Sequence, residues 1–159
     1  MDIRVLCVGK LKEGYWTEAV NEYSKRLGKY CTLSIIEVKE EKSGDHPSRA
    51  EEARVVDAEG RRLQAMTRDG SYRIALDIKG KVLSSEELAE KMEQLRLQGR
   101  SSVEFQIGGS LGLSPEILEG ADLRLSFSKM TFPHQMMRVI LLEQIYRSFR
   151  IARNEPYHK

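Results

Sequence analysis

The stretch Leu125-Ser126-Phe127-Ser128-Lys129-Met130-Thr131-Phe132-Pro133-His134 sets the reading of the whole chain. Leading into it, Leu123, Leu125 and Phe127 alternate with other residues at the period of a strand, whereas residues 136–149 carry apolar side chains at helical spacing. Between the two lies a polar turn. Pro133 has a fixed φ and suits the first turn of a helix, which makes Thr131 the expected cap and leaves the backbone N–H groups just beyond it without helical acceptors. Such a turn can hold a polar ligand, and it can equally be a plain connection; spacing alone leaves both open.

Upstream of this turn, strand and helix patterns alternate without interruption. Residues 3–8 form an apolar run closed by Gly9, and after a polar segment Trp16, Val20, Tyr23 and Leu27 recur at helical spacing up to Gly28. A second strand, residues 33–38, is rich in β-branched side chains. Residues 39–49 are charged and include Gly44 and Pro47, so they read as a loop before an amphipathic helix (Ala53, Val56, Gly60, Leu63) with a modest share in the core. Tyr72, Ile74, Leu76 and Ile78 alternate into a third strand that ends in Lys79-Gly80. Ser84 and Glu87 form a capping box, Leu88, Met92 and Leu95 the buried stripe of the helix it starts, and Gly99 sits where a C-terminal cap belongs. Val103, Phe105 and Ile107 make a fourth strand that runs directly into Gly108-Gly109-Ser110-Leu111-Gly112, and Ser114-Pro115 opens a short helix. This order implies an α/β fold, a mostly parallel sheet with helices on both faces, built as a single domain over residues 1–159.

With 159 residues, 40% hydrophobic and 31% charged, the chain suits one globular core. Its longest uncharged apolar run, residues 139–142, is far too short to span a membrane, and Asp2 and Arg4 stand where a secretory signal would differ, so the expected location is cytoplasmic. Cys7 and Cys31 lack metal-ligand spacing and are expected as free thiols, with no metal site. Net charge is only +2, yet residues 129–159 carry six basic side chains (Lys129, Arg138, Arg147, Arg150, Arg153, Lys159) against Glu143 and Glu155. That asymmetry fits contact with a phosphate backbone, and it fits an ordinary solvated face as well.

In open parallel sheets, ligands bind beyond the carboxyl ends of the strands. Three such ends stand out here: 76–80, 107–110 and 127–129. Gly108 and Gly109 allow close backbone approach to a ligand, although the spacing is neither a dinucleotide fingerprint nor a phosphate loop. The last helix has an unusual profile, with a narrow polar stripe (Glu143, Arg147, Arg150) and apolar residues (Met137, Leu141, Leu142, Ile145, Tyr146, Phe149) over most of its circumference. The surplus must be covered by helices of the same chain or by a second copy, for which a symmetric dimer is the commonest solution.

Four blocks, VGKLKEGYW (8–16), IGGSLGL (107–113), LSFSKMTFPHQMMRVILLEQIYRSFRI (125–151) and NEPYHK (154–159), resemble the RlmH (YbeA-like) family of SPOUT-superfamily RNA methyltransferases from end to end. The resemblance implies transfer of a methyl group from S-adenosylmethionine to N3 of a pseudouridine in large-subunit (23S) rRNA of assembled ribosomes. It also implies a homodimer and a C-terminal trefoil knot, which connection rules alone would have excluded. Carried over position by position, the cofactor contacts fall on Leu76, Gly108, Phe127, Ser128, Lys129, Met130, Thr131 and Phe132; for Leu76 alone, core packing would be the simpler reading. Gly108→Leu is then expected to block the cofactor and leave the fold intact.

The donor's methyl group is already activated, so the protein must align the reactants and remove the N3 proton. His134 and His158 are the candidate acceptors, because histidine titrates near neutral pH. Tyr157 is placed to stack on a base, and Arg147, Arg153, His158 and Lys159 to contact the RNA. Beyond Pro156 the tail is expected to project as an extended end, so that deleting 157–159 would abolish methyl transfer and spare stability. A related SPOUT enzyme with another RNA target and a non-catalytic ribosome-binding factor are the alternatives.

Overall fold

The computed structural model describes residues 1–159. Its elements are β1 (Asp2–Val8), α1 (Gly14–Leu27), β2 (Thr32–Val38), α2 (Arg49–Met66), β3 (Tyr72–Val82), α3 (Ser85–Leu97), β4 (Ser102–Ile107), α4 (Pro115–Glu119), β5 (Leu123–Ser126) and α5 (His134–Ala152). All strands pair in parallel, in the order β2-β1-β4-β3-β5. Such a sheet must be covered on both faces, and β1 shows why: Ile3 to Val8 are all buried. Ile3, Val5 and Cys7, together with Val103, Phe105 and Ile107 of β4, meet the helices α1, α3 and α5 in the main core. Leu6 and Val8 turn the other way, onto Leu63 of α2 and Ile117 of α4, a smaller cluster consistent with the few apolar residues of α2.

Local signals specify several element ends. Ser84 Oγ accepts the Glu87 N–H (3.1 Å) and Glu87 Oε2 accepts the Ser84 N–H (2.6 Å), completing the capping box of α3, and Gly99 beyond its end has φ +77°. Ser114 caps α4 through the Ile117 N–H, with Pro115 in its first turn. Gly60, inside α2, is demanded by packing, since a Cβ there would lie 2.3 Å from Ser114 Oγ. A buried polar group under α2 was not anticipated. Arg4 Nη2 donates to Met66 O (2.7 Å), while Glu104 accepts both the Arg68 N–H (3.2 Å) and Gln106 Nε2 (3.2 Å), tying the end of α2 to the sheet.

Two expectations for the C-terminal third are corrected. β5 ends at Ser126, so Phe127 lies beyond the strand, and α5 starts at His134 with Pro133 as its N-cap and no side-chain cap. Pro133 is extended (ψ 135°), which places Thr131 too far upstream to reach the first free N–H groups of the helix. Much of the apolar surface of α5 is covered within the chain, while Met136, Met137 and Ile140 stay partly exposed. Leu141, Leu142 and Ile145 are 0% exposed between α1 and α3, and Tyr157 of the tail packs on the same cluster. A charge at Leu142 would therefore test this core and carry no information about a second copy. No helix is long and apolar enough to cross a membrane. Cys7 and Cys31 are free thiols, both pushed up to about 11 by burial.

Candidate functional site

β4, β3 and β5 are neighbours, so the loops leaving their carboxyl ends open on one edge of the sheet. β3 pairs with β5 at Leu76↔Leu125, departs for residues 77–80, and pairs again at Lys81↔Leu125. Asp77 Oδ1 accepts the Lys79 N–H within this excursion (3.1 Å). After β4 the chain turns back on itself: Gly112 N donates to Gly109 O (3.1 Å), and a Cβ at Gly108 would lie 2.5 Å from Gly112 C and 2.6 Å from Gly112 O. The glycine at 108 is thus required by its own loop, independently of any ligand. After β5, Ser126 Oγ donates to Ser128 O (3.0 Å) and the Met130 N–H to Ser128 Oγ (3.0 Å). The N–H groups of Ser128, Lys129, Thr131 and Phe132 have no backbone acceptor. Phe127, Ser128 and Phe132 are half-buried, Lys129 and Thr131 exposed, and Met130 is 74% exposed. Free backbone donors beside the half-buried Leu76, Phe127 and Phe132 can hold a flat heterocycle by its edge and its face.

The same edge receives the start of α5. Arg138, 1% exposed, donates to Glu37 Oε2 (2.6 Å) and to Gly9 O (3.1 Å), and Gln135 Oε1 accepts the Lys12 N–H (3.0 Å). These bonds fasten α5 to the carboxyl ends of β1 and β2. Arg138 is therefore a structural cation, withdrawn from the basic surface that the composition suggested. His134 lies beside Gly9, half-buried, and makes no side-chain hydrogen bond within the protein. Burial holds its imidazole below the ordinary histidine value, with Arg138 and Lys12 adding to the effect and Glu40 opposing it.

The family model described as "Predicted SPOUT methyltransferase" matches residues 1–158. The chain belongs to this family. Full-length SPOUT relatives stand close to it: the "Ribosomal RNA large subunit methyltransferase H" proteins of Clostridium novyi (strain NT) and Clostridium acetobutylicum are 55% and 53% identical over 159 residues, covering 100% of both chains. The resemblance noted from the four sequence blocks is thereby shown. Among solved structures, a probable methylase family protein from Haemophilus influenzae Rd KW20 aligns at TM-score 0.56 and 15% identity, over 99% of this chain and 70% of that one. TrmJ from Z. mobilis ZM4 aligns at TM-score 0.51 and 13% identity, over 100% and 73%. Both share the fold of this chain.

In this SPOUT chain the tail does not project. Tyr157 packs edge-on against Tyr146 (4.9 Å between ring centres), lies under Arg147 and donates to Glu143 Oε1 (3.0 Å). The two ring nitrogens of His158 face Arg147 Nη1 (3.1 Å) and Glu86 Oε1 (2.7 Å), so the tail bridges α5 and the start of α3. Arg147 is also paired with Glu143 (2.7 Å) and Arg150 with Glu155 (2.8 Å). Of the residues expected to touch RNA, Arg153, stacked over Tyr30 (4.6 Å), and Lys159 keep an ionic end free of carboxylates. Deleting 157–159 should accordingly lower stability by about 2 kcal/mol, the worth of one mostly buried aromatic side chain. Thermal melting reads this as a loss of about 4–8 °C, and an unchanged midpoint would show that the tail is loosely held.

Sequence reasoning missed Glu59. Its carboxylate, 4% exposed on α2, accepts the Glu41 N–H (3.0 Å) with one oxygen, and the other has no partner. Burial, aided by the charges of Glu40 and Glu41, pushes its carboxyl above the usual range against the hydrogen bond from the Glu41 N–H and the charge of Arg62. Arg62 donates to Lys39 O (2.9 Å) and to Glu41, so the first residues of the 39–48 loop are pinned to α2. A buried glutamate one residue before a mid-helix glycine is the only trace of this in the sequence, and it looks like any charge on an amphipathic helix.

Proposed function

We propose that this protein methylates N3 of a pseudouridine in the large-subunit rRNA of assembled ribosomes, using S-adenosylmethionine and acting as a cytoplasmic homodimer. The observation that carries the reading is full-length identity above one half to large-subunit rRNA methyltransferases, and the edge formed by the β3, β4 and β5 loops fits the chemistry. A knotted C-terminal third belongs to the same reading. Leu76, Gly108 and residues 127–132 would hold the cofactor: their free backbone N–H groups and half-buried apolar side chains match an adenine ring. When bound, S-adenosylmethionine supplies a methyl group activated by its sulfonium.

The chain's own residues then have two tasks. The loops must hold the acceptor nitrogen in line with the methyl group, an alignment that contributes a large part of the rate. A base must take the N3 proton as the new N–C bond forms and the C–S bond breaks. His134 fits this second task better than His158, because burial keeps it neutral and it has no side-chain hydrogen bond, whereas both nitrogens of His158 are occupied. Arg153 and Lys159 remain available to RNA, with Tyr157 and Arg147 positioning the tail.

The test is methyl transfer by the purified protein to naked rRNA, isolated large subunits and whole ribosomes, with the product nucleoside identified by mass. N3-methylpseudouridine on whole ribosomes is the expected product. A different modified nucleoside would point to another RNA target, and cofactor binding without any product to a ribosome-binding factor.

A further inference from the structure

The ion pairs divide the cations of this chain into two populations. Eleven of its fifteen arginines are in salt bridges, and among them Arg4, Arg62, Arg138, Arg147 and Arg150 are at least partly buried and fix local structure. Of its eleven lysines only Lys12 is paired, 3.6 Å from Glu40. The free lysines are not scattered evenly. Lys39 and Lys42 follow β2, Lys10 follows β1, Lys79 lies in the excursion of β3 and Lys129 follows β5, and all five are exposed. Between these groups stands β4, whose loop, residues 108–113, has no charged residue at all. Neighbouring strands are about 4.8 Å apart, so the array crosses the edge over roughly 20 Å. The carboxylates nearby are largely engaged or buried: Glu37 by Arg138, Glu40 by Lys12, Glu41 by Arg62 and Arg54, and Asp77 by the Lys79 N–H, while Glu59 is buried behind Gly109; Glu13 and Asp45 are also in the adjoining loops.

We infer that the rRNA backbone is bound along the carboxyl edge of the sheet by Lys10, Lys39 and Lys42 on one side of the uncharged Gly108 loop and by Lys79 and Lys129 on the other. The inference rests on the proposed function and names its substrate-binding surface. An uncharged notch between two cationic shoulders suits one nucleotide turned into the site with its flanking phosphates outside. Lysine, a point charge on a flexible stem, grips phosphate without geometric demand, so this surface contributes affinity and leaves the choice of base to the notch. It also differs from the basic C-terminal helix that the composition points to, most of whose arginines are already paired.

The test uses the full-length protein, S-adenosylmethionine and whole ribosomes. Binding is measured against salt for wild type, for K10Q/K39Q/K42Q, for K79Q, and for K29Q/R100Q as a loss of free charge away from this edge. Neutralising one phosphate-binding lysine should reduce the slope of log K against log salt by about 1, so the triple variant is expected to fall by about 3 and K79Q by about 1. Melting temperature and cofactor affinity should stay at wild-type values, and K29Q/R100Q should keep the full slope. Wild-type slopes in both K10Q/K39Q/K42Q and K79Q, or a reduction of the same size per charge in K29Q/R100Q, overturn the inference and leave the proposed function standing. If wild type neither binds nor methylates whole ribosomes, both fall together.

Discussion

Gly108→Ala is expected to cost both the fold of the β4 loop and all cofactor binding. The added Cβ would sit 2.5–2.6 Å from the carbonyl carbon and oxygen of Gly112 and 2.9 Å from Leu113 N, all of them backbone atoms that cannot rotate away. The loop must open, and overpacking of this kind costs about 1–3 kcal/mol, more for Gly108→Leu. In a chain of this size that is a fall of about 2–4 °C in melting temperature per kcal/mol. The second half of the expected result concerns the ligand. At S-adenosylmethionine near 100 times its Kd, wild type should gain about 2.7 kcal/mol of stability, and the variant none. A Gly108→Ala protein that melts with wild type and rises equally with cofactor would show that the loop is neither rigid nor part of the site. This replaces the simpler expectation that Gly108→Leu leaves the protein folded.

His134→Asn is expected to lower kcat by about a hundredfold or more, the usual contribution of a general base, while cofactor affinity stays near that of wild type. The pH profile distinguishes a proton acceptor from a packing residue. Because burial holds the imidazole below its ordinary value, wild type should keep its plateau below the pH at which a solvated histidine protonates, and then lose rate as the ring takes up a proton. Neighbouring charges should move that limb in opposite directions: Glu40→Gln to lower pH, Lys12→Gln to higher pH. For stability the sign is that of a base with a depressed folded pKa: it is full above the ordinary value and lost as pH falls toward the folded one, a loss absent from His134→Asn. If the limb survives in His134→Asn and vanishes in His158→Asn, the tail histidine is the base.

Much of the fold was legible because its signals are local. The capping box at Ser84, the Ser114-Pro115 start of α4, the apolar run of β1, the β-branched run of β2 and the alternation in β3 and β4 each depend on residues a few positions apart. Errors arose where the deciding contact is distant in the chain. Thr131 resembled a cap until the backbone of Pro133 took that position, and Arg138 resembled a surface charge although its partners are Glu37 and Gly9. Tyr157 resembled part of a projecting end because nothing in NEPYHK reveals Tyr146 or Glu143 beneath it. The edge with Leu76, Gly108 and 127–132 was indicated by strand ends alone, whereas the buried carboxylate of Glu59 depends on the docking of a loop that sequence cannot place.

The bonds of Arg138 bear on how the molecule is made. Its contact with Gly9 joins residues 129 positions apart and that with Glu37 residues 101 apart, and both lie at the edge where the reactive loops gather. Contacts of such separation form late, after the loop-closure entropy has been met, and all-parallel pairing slows the search further. During synthesis the amino-terminal strands emerge first and wait with an incomplete face until α5 can dock. A nascent chain whose α5 is still inside the ribosome therefore has no finished edge. On the proposed function, each copy becomes competent to modify a ribosome only after its own α5 has emerged from the one producing it.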